Sequence, residues 1–446
     1  MEIREVTLDE ILEARENRVR EQDRLLAKYG MPVISFTMNI PGPVKDTPLI
    51  RRAFFAGREM LNAAGLDVLE ERETLAPTGC EWRCAVKGGA PDVKRLCVAI
   101  EDATPLGRLF DMDVLSPDGA KLDREAVNGG ERNCIVCGAK GRGCASRRVH
   151  SVPELQAAAQ RIMTEHFAAS DRGEVASRVT KALLDEVRTT PKPGLVDRAN
   201  NGSHRDMTLA TFERSAEALA PYWARCFALG RASAAEAPEA TFAALRPAGM
   251  EAERAMLAAT GGVNTHKGAI YTLGVICGAL GRLWRADAPC RDVDAILREC
   301  AAMTKAETDA YFAALTPETA KTAGERFYLQ CGLRGIRGEV ADGLPGVRDA
   351  ALPMLRRALD EGYSRNDAGV YALLALIARG TDTNMLSRGG ADTAAEAARE
   401  AAALMEDDCF PTMDAVAQLD RTFIARNLSP GGCADLLAAA WFLFDL

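Results

Sequence analysis

Thr189–Asp206 reads TTPKPGLVDRANNGSHRD, a knot of prolines, glycines, asparagines and charge set between two strongly helical stretches. Pro191 and Pro193 stop a helix and stiffen the chain, while Gly194 and Gly202 admit backbone shapes that other residues avoid. Lys192, Asp197, Asn200, His204 and Asp206 crowd into the same span. A rigid, polar loop of this kind is expected to be buried and to carry function, and its helical flanks place it in an α-helical domain.

Working outward, the downstream chain keeps that character. From about Val152, alanine and leucine dominate. Helical spacing predicts helices near Glu174–Val187, Thr208–Leu229, Leu245–Thr260, Lys267–Leu283, Val293–Met303, Thr319–Cys331, Val347–Glu361, Ala368–Ala378, Ala391–Met405, Thr412–Arg426 and Gly432–Phe444. No repeat has a constant period, so an all-α globule is expected rather than a solenoid. Upstream the pattern is mixed: a helix over Leu8–Tyr29 ending at Gly30, a strand over Val33–Ile40, a helix from Pro48 to Gly65, and two strands in Leu96–Val114 around a Thr-Pro-Leu-Gly turn. The chain is therefore expected to be multidomain, an α+β part over 1–165 followed by an all-α part over 166–446. The composition changes between residues 150 and 175, with Leu155–Phe167 as a connecting helix.

With 446 residues, two or three domains are expected. A net charge of -8 and a pI near 5.4 argue against a nucleic-acid-binding face. No apolar run of about 18 residues occurs, and the start MEIREVTLDE is too charged for a signal or a span, so no membrane partner and a cytoplasmic location are expected. Thirteen cysteines, an odd number, then read as reduced thiols.

Several groups carry chemistry. Asp111 and Asp113 lie two apart on a strand, so their carboxylates share a face. Their mutual repulsion invites a divalent cation, Mg²⁺ or Mn²⁺, of the kind used in phosphoryl or nucleotidyl transfer. Arg108 adjoins them, and Lys45 sits before a helix N-terminus that suits a phosphate. Cys134, Cys137, Cys144 and His150, spaced C-x2-C-x6-C-x5-H, could hold a structural Zn²⁺, with Arg142, Arg147 and Arg148 available to phosphates or an acidic partner. In the helical part, GGVNTHKGAIYTLG puts Asn264, His266 and Lys267 ahead of an apolar helix, where free amides, the helix dipole and a lysine converge on an anion. The segment 335–346 offers Arg337 and Glu339, and TNMLSRGG offers Arg388 and Gly389. EDDCFPTMD supplies Asp407 and Asp408 for Mg²⁺. Each loop alone has a bland reading as a helix end or a cap. Together they make the inventory of an ATP-using site.

At these same residues the sequence resembles two known families. SFTMNIPGPVK, the run from Cys97 to Val114 ending PLGRLFDMDV, and the Cys134/Cys137/Cys144 cluster closing at His150 resemble apo-citrate lyase phosphoribosyl-dephospho-CoA transferase, also called holo-citrate lyase synthase. PKPGLVDRANNGSHRDM, GVNTHKGAIYTLG, GIRGE, TNMLSRGG and DDCFPTMDAVAQLDR resemble triphosphoribosyl-dephospho-CoA synthase. The resemblance implies a fused enzyme running consecutive reactions. ATP and 3′-dephospho-CoA would give 2′-(5″-triphosphoribosyl)-3′-dephospho-CoA and adenine. The phosphoribosyl-dephospho-CoA unit would then pass to a serine of the acyl carrier (gamma) subunit of citrate lyase, releasing pyrophosphate.

For the first reaction Asp197 or Asp206 is the expected carboxylate, with Asp407 and Asp408 as alternatives. His204 or His266 would protonate the departing adenine, and Lys192, Lys267, Arg337 and Arg388 would hold the triphosphate, beside Asn200, Asn264, Glu339 and Gly389. For the second, Asp111 and Asp113 would hold Mg²⁺ while Arg108 and Lys45 stabilise phosphates. Because Gly107–Asp113 reads G-R-x-F-D-x-D, the first part is nucleotidyltransferase-like at most. Two other readings stay open: a carrier-docking adaptor on an ATP-binding helical domain, and an ADP-ribosyl-type glycohydrolase using water as acceptor.

Overall fold

The computed structural model describes residues 3–140, 143–406 and 409–446. The chain divides into two compact units, Met1–Ser170 with Arg285–Ala288, and Asp171–Trp284 with Pro289–Leu446. Each is described by itself.

The first unit is built on four antiparallel strands, β1 (Val33–Met38), β2 (Val68–Ala76), β3 (Gly79–Val86) and β4 (Phe110–Leu115), in the order β2-β3-β1-β4. Strand alternation sorts the side chains into two faces. Register pairs Phe36 with Trp82 and Met112, and Ile34 with Cys84 and Val114, so one face is apolar. Helix α2 (Pro48–Ala63) covers it, stacking Phe54 on Phe36 with ring centroids 4.9 Å apart. The other face carries Ser35, Thr37, Glu81, Arg83, Asp111 and Asp113. Helix α1 (Leu8–Tyr29), opened by a Thr7–Glu10 capping box and closed by Gly30 in the left-handed region, packs Leu25 and Leu26 against Val33 and Ala85, while its Arg18 pairs with Glu81.

One expectation fails here. Leu96–Ala103 is not a strand but the second half of helix α3 (Ala90–Ala103). Pro91 sits in its first turn, and Val93, Cys97, Val98 and Glu101 recur at helical spacing on the buried side. A short apolar run such as LCVAI does not distinguish the two periods. The Thr-Pro-Leu-Gly segment is a 3₁₀ turn, Pro105–Leu109, that feeds β4. Gly107 is required there, since a Cβ would lie 2.3 Å from the Glu101 carbonyl oxygen.

The second unit is all helix. Its centre is Lys267–Arg282, buried on nearly every side. Gly230 and Gly278 let the helix Ala220–Ala232 approach it so closely that a Cβ on Gly230 would lie 2.0 Å from the Gly278 carbonyl oxygen. A second apolar helix, Gly431–Phe444, packs beside it. Two segments expected to be loops are helical, Gly335–Ala341 and residues 383–390, the latter continuing into the expected helix from Ala391 as Thr383–Ala403. Asp382 starts the latter by accepting from the amides of Asn384 and Met385, and Gly390, at φ 77°, marks the interruption that its sequence suggested. The expected helix Thr208–Leu229 is two helices, Leu209–Ala218 and Ala220–Ala232, with Pro221 in the first turn of the second. Among the described residues no helix is long and apolar enough to cross a membrane.

Candidate functional site

Residues 189–197 are largely buried while the stretch from Arg198 to Asp206 is half-buried or exposed, and hydrogen bonds explain why the first part turns inward. Asp197 accepts from the amides of Lys192 (3.0 Å), Ala199 (2.7 Å) and Asn200 (2.9 Å), so its carboxylate is spent on shaping its own loop. Asp420, from the helix Met413–Ala425, accepts from the Gly194 amide and the Asn200 side chain. Gly194 has φ 70°, and a Cβ there would lie 2.2 Å from the Leu428 carbonyl oxygen. Lys192 is 2% exposed and ion-paired to Glu186, itself 4% exposed. Asp206 is exposed.

That loop forms one wall-support of a cleft of about 860 Å³. The cleft is lined by His204, Asn264, His266, Lys267, Arg337, Glu339 and Arg388. Asp197, Lys192, Asn200, Asp206 and Gly389 are not among its lining residues; Asp407 and Asp408 lie outside the described residues, as does Arg142. The cleft also takes in residues that the sequence did not single out: Glu186, Arg379, Asp382 and Asp435. Three longer helices begin at it, Lys267–Arg282, Thr383–Ala403 and Gly431–Phe444, since Lys267, Thr383 and Gly431 all line it. Several first-turn amides are already taken, that of Lys267 by Asn264 and those of Asn384, Met385 and Cys433 by Asp382, so what the three termini offer an anion is chiefly their dipoles.

The carboxylates have perturbed acidities. Burial raises Asp382, whose oxygens accept from the amides of Cys433, Asn384 and Met385. Burial also lifts Asp435 well above the carboxylate range, with the nearby charges of Glu186 and Asp382 adding to it. Glu186 and Glu339 are raised by burial as well. The Asp435 carboxylate lies against Gly268 at the head of the central helix, where a Cβ would be 2.0 Å from its Oδ2.

The two histidines differ. His204 has both ring nitrogens engaged, Nε2 with Ser429 Oγ at 2.8 Å and Nδ1 receiving Arg388 at 3.3 Å. Burial, then Arg388, lower its pKa. His266 is 2% exposed, its Nδ1 is 2.7 Å from Ser215 Oγ, and its Nε2 has no hydrogen-bond partner.

In the first unit, Asp111 and Asp113 do stand on one face of β4, opposite Thr37 and Ser35. Asp113 is paired with Lys121 at 2.6 Å. Burial raises the Asp111 carboxyl, and the Asp113 charge adds to it. The Arg108 guanidinium donates to the Asn133 carbonyl, and Lys45 donates to the Ile40 carbonyl, so both cations serve the backbone. Cys134, Cys137, Cys144 and His150 converge, with all four potential ligand atoms within 4.8 Å of one another. Cys137 Sγ is 3.6 Å from Cys144 Sγ and 3.3 Å from His150 Nε2. Tetrahedral zinc separates sulfur pairs by about 3.8 Å and a sulfur and nitrogen by about 3.5 Å, so the set fits. Backbone amides, chiefly that of Cys137, lower the Cys134 thiol to about 7, which favours the thiolate a metal needs. The Cys144 thiol, beside Cys137, is raised to about 11.

Residues 6–166 match the family described as CitX, apo-citrate lyase phosphoribosyl-dephospho-CoA transferase. Residues 172–446 match the family described as CitG, ATP:dephospho-CoA triphosphoribosyl transferase. Along 456 aligned residues, 99% of this chain and 96% of the relative, the sequence is 34% identical to Protein CitXG of Haemophilus influenzae.

Proposed function

The chain belongs to the CitX and CitG families at once, and from that premise we propose how its two parts divide the work. It is a bifunctional transferase that makes and attaches the prosthetic group of citrate lyase. Residues 166–446 join ATP to 3′-dephospho-CoA and release adenine, and residues 1–165 transfer the phosphoribosyl-dephospho-CoA unit to a serine of the apo acyl carrier subunit with loss of pyrophosphate. The observation that carries the first assignment is the cleft, where three helix N-termini and the cations Lys267, Arg337 and Arg388 sit beside several carboxylates. A triphosphate needs the former and a developing oxocarbenium ion the latter.

In adenine release, the 2′-oxygen of dephospho-CoA forms the bond to C1″ as the C1″–N9 bond of ATP breaks. Asp435 is the carboxylate best placed to receive the 2′-hydroxyl proton, because it lines the cleft while Asp197 is committed to its loop. A carboxylate with elevated proton affinity is a stronger base near neutrality. In the attachment reaction Asp111 and Asp113 would hold Mg²⁺, which would neutralise the phosphates under attack. Their shared face, and the raised proton affinity that burial and then the Asp113 charge give Asp111, suit a cation. Cys134, Cys137, Cys144 and His150 hold a structural Zn²⁺, and metal analysis of protein purified without chelator should find about one zinc per chain, absent from Cys137→Ser. The function as a whole is tested by incubating the chain with ATP, 3′-dephospho-CoA and apo carrier. Adenine release that requires dephospho-CoA, and a carrier mass increased by one phosphoribosyl-dephospho-CoA unit, are expected; adenine release with water as sole acceptor would refute it.

A further inference from the structure

Within the cleft, and resting on the adenine-releasing reading of it, one buried group has an unspent donor. Thr265 Oγ1 donates to Ser215 Oγ at 2.8 Å, and Ser215 Oγ lies 2.7 Å from His266 Nδ1. Ser215 accepts from Thr265, and among the described residues Nδ1 is the one acceptor within reach of its own proton, which places the imidazole proton on Nε2. Ser215 is fully buried, so no water competes for this hydroxyl. The Phe212 ring meets the imidazole edge to face at 5.1 Å and holds its plane. The result is a neutral ring, nine-tenths and more buried, on a residue that lines the cleft, with an N–H that no group among the described residues accepts. An unmatched donor in such surroundings costs about 1–3 kcal/mol, so a ligand acceptor is its natural partner.

We propose that the Thr265–Ser215–His266 relay fixes His266 as an Nε2–H donor to a ring nitrogen of the adenine leaving group, with Ser215 as the positioning residue. As the C1″–N9 bond breaks, its electron pair moves onto adenine, and a hydrogen bond from His266 stabilises the charge that develops. The 2′-hydroxyl loses one proton over the turnover and adenine gains one, so His266 keeps its own and acts without changing charge. Burial, with Lys192 nearby, lowers the His266 pKa to about 3, so the ring stays neutral across the working range. His204 is unsuited to this role because Ser429 and Arg388 occupy both its nitrogens.

The test measures dephospho-CoA-dependent adenine release for His266→Ala, His266→Gln and Ser215→Ala in the full chain, with melting curves for each. Because one pre-set donor contributes about a hundredfold to such a step, His266→Ala should lower kcat by about that factor with KM for ATP little changed. His266→Gln, whose side-chain amide replaces the N–H, should recover about tenfold of the loss, and Ser215→Ala should lower kcat about tenfold. Equal impairment of the Ala and Gln variants, or a folded Ser215→Ala enzyme with wild-type kcat, would overturn the proposal. Should His266→Ala melt early, Ser215→Ala decides alone. Failure of wild-type enzyme to release adenine is a different result, and removes the underlying reading instead.

Discussion

Lys192→Met separates a strut from a ligand. The Lys192 ammonium and the Glu186 carboxylate are paired with 2% and 5% of their side chains exposed. Methionine keeps the stem volume and removes the charge, leaving Glu186 buried alone. A buried charge stripped of its partner typically costs about 3–5 kcal/mol. Protonation sets a ceiling on that cost, because an isolated carboxylate with a reference pKa of about 4.3 takes up a proton at pH 7 for about 3.7 kcal/mol. The loss should therefore be about 3–4 kcal/mol at pH 7. Its pH dependence has a definite sign. Burial already raises Glu186, and Lys192 is the group that pulls it back. Without Lys192 the folded state binds more protons than the unfolded state above the unfolded carboxylate value, so the variant loses stability as pH rises and recovers it as pH falls. The difference from wild type should shrink by about 1.4 kcal/mol per pH unit on acidification. Urea unfolding of the full chain, followed by fluorescence of Trp223, Trp284 and Trp441, reads this out. Adding Glu186→Gln should restore most of the loss, giving a coupling energy of several kcal/mol. A Lys192→Met enzyme within about 1 kcal/mol of wild type, but with a raised KM for ATP, would show that the ammonium serves the triphosphate and not Glu186.

Two further substitutions test the assigned chemistry. Asp111→Asn should abolish attachment to the carrier, read by the carrier's mass, while adenine release continues unchanged; loss of both would contradict separate sites. Asp435→Asn should lower kcat for adenine release by about a hundredfold or more, as expected for loss of a general base. In the wild type that rate should fall as pH drops through a value above the ordinary carboxylate range, since Asp435 must be ionised to accept a proton and its pKa is raised. A flat profile from pH 5 to 8 would exclude Asp435 as the base.

What the sequence revealed depended on the range of the interaction involved. The shared face of Asp111 and Asp113 follows from the two-residue period of a strand, and the structure has it. The gathering of the cysteines and His150 follows from short spacing. The burial of residues 189–197 was legible from their prolines and Gly194, although the stretch from Arg198 on is half-buried or exposed and the use of the loop was not legible. Asp197 turns inward to three amides of its own loop, and the loop's other anchors, Asp420 and Leu428, come from far along the chain. Asp382 and Asp435 were passed over because an acidic residue in a helix's first turns reads as an ordinary cap, and Asp382 is indeed one. Ser215 and Glu186 carry no local signal; each sits inside a helical pattern, and only tertiary packing brings Ser215 to His266 and Glu186 to the cleft.

The mixture of signs in the cleft is itself informative. A site that only held a triphosphate would be lined by cations and helix N-termini, with one or two carboxylates for a bridging divalent cation, and further carboxylates would weaken it. Here Glu186, Glu339, Asp382 and Asp435 line the same space as Lys267, Arg337, Arg379 and Arg388. With Glu253 and Asp342, six carboxyls line that space, and burial raises the four named first. Retaining them is costly for binding an anion and useful for breaking a glycosidic bond, where the ribose carbon becomes positive and the incoming hydroxyl must lose a proton. The acidic members of the cleft thus distinguish a pentosyl transfer from simple nucleotide binding, and they set the non-catalytic adaptor reading against the chemistry of the site.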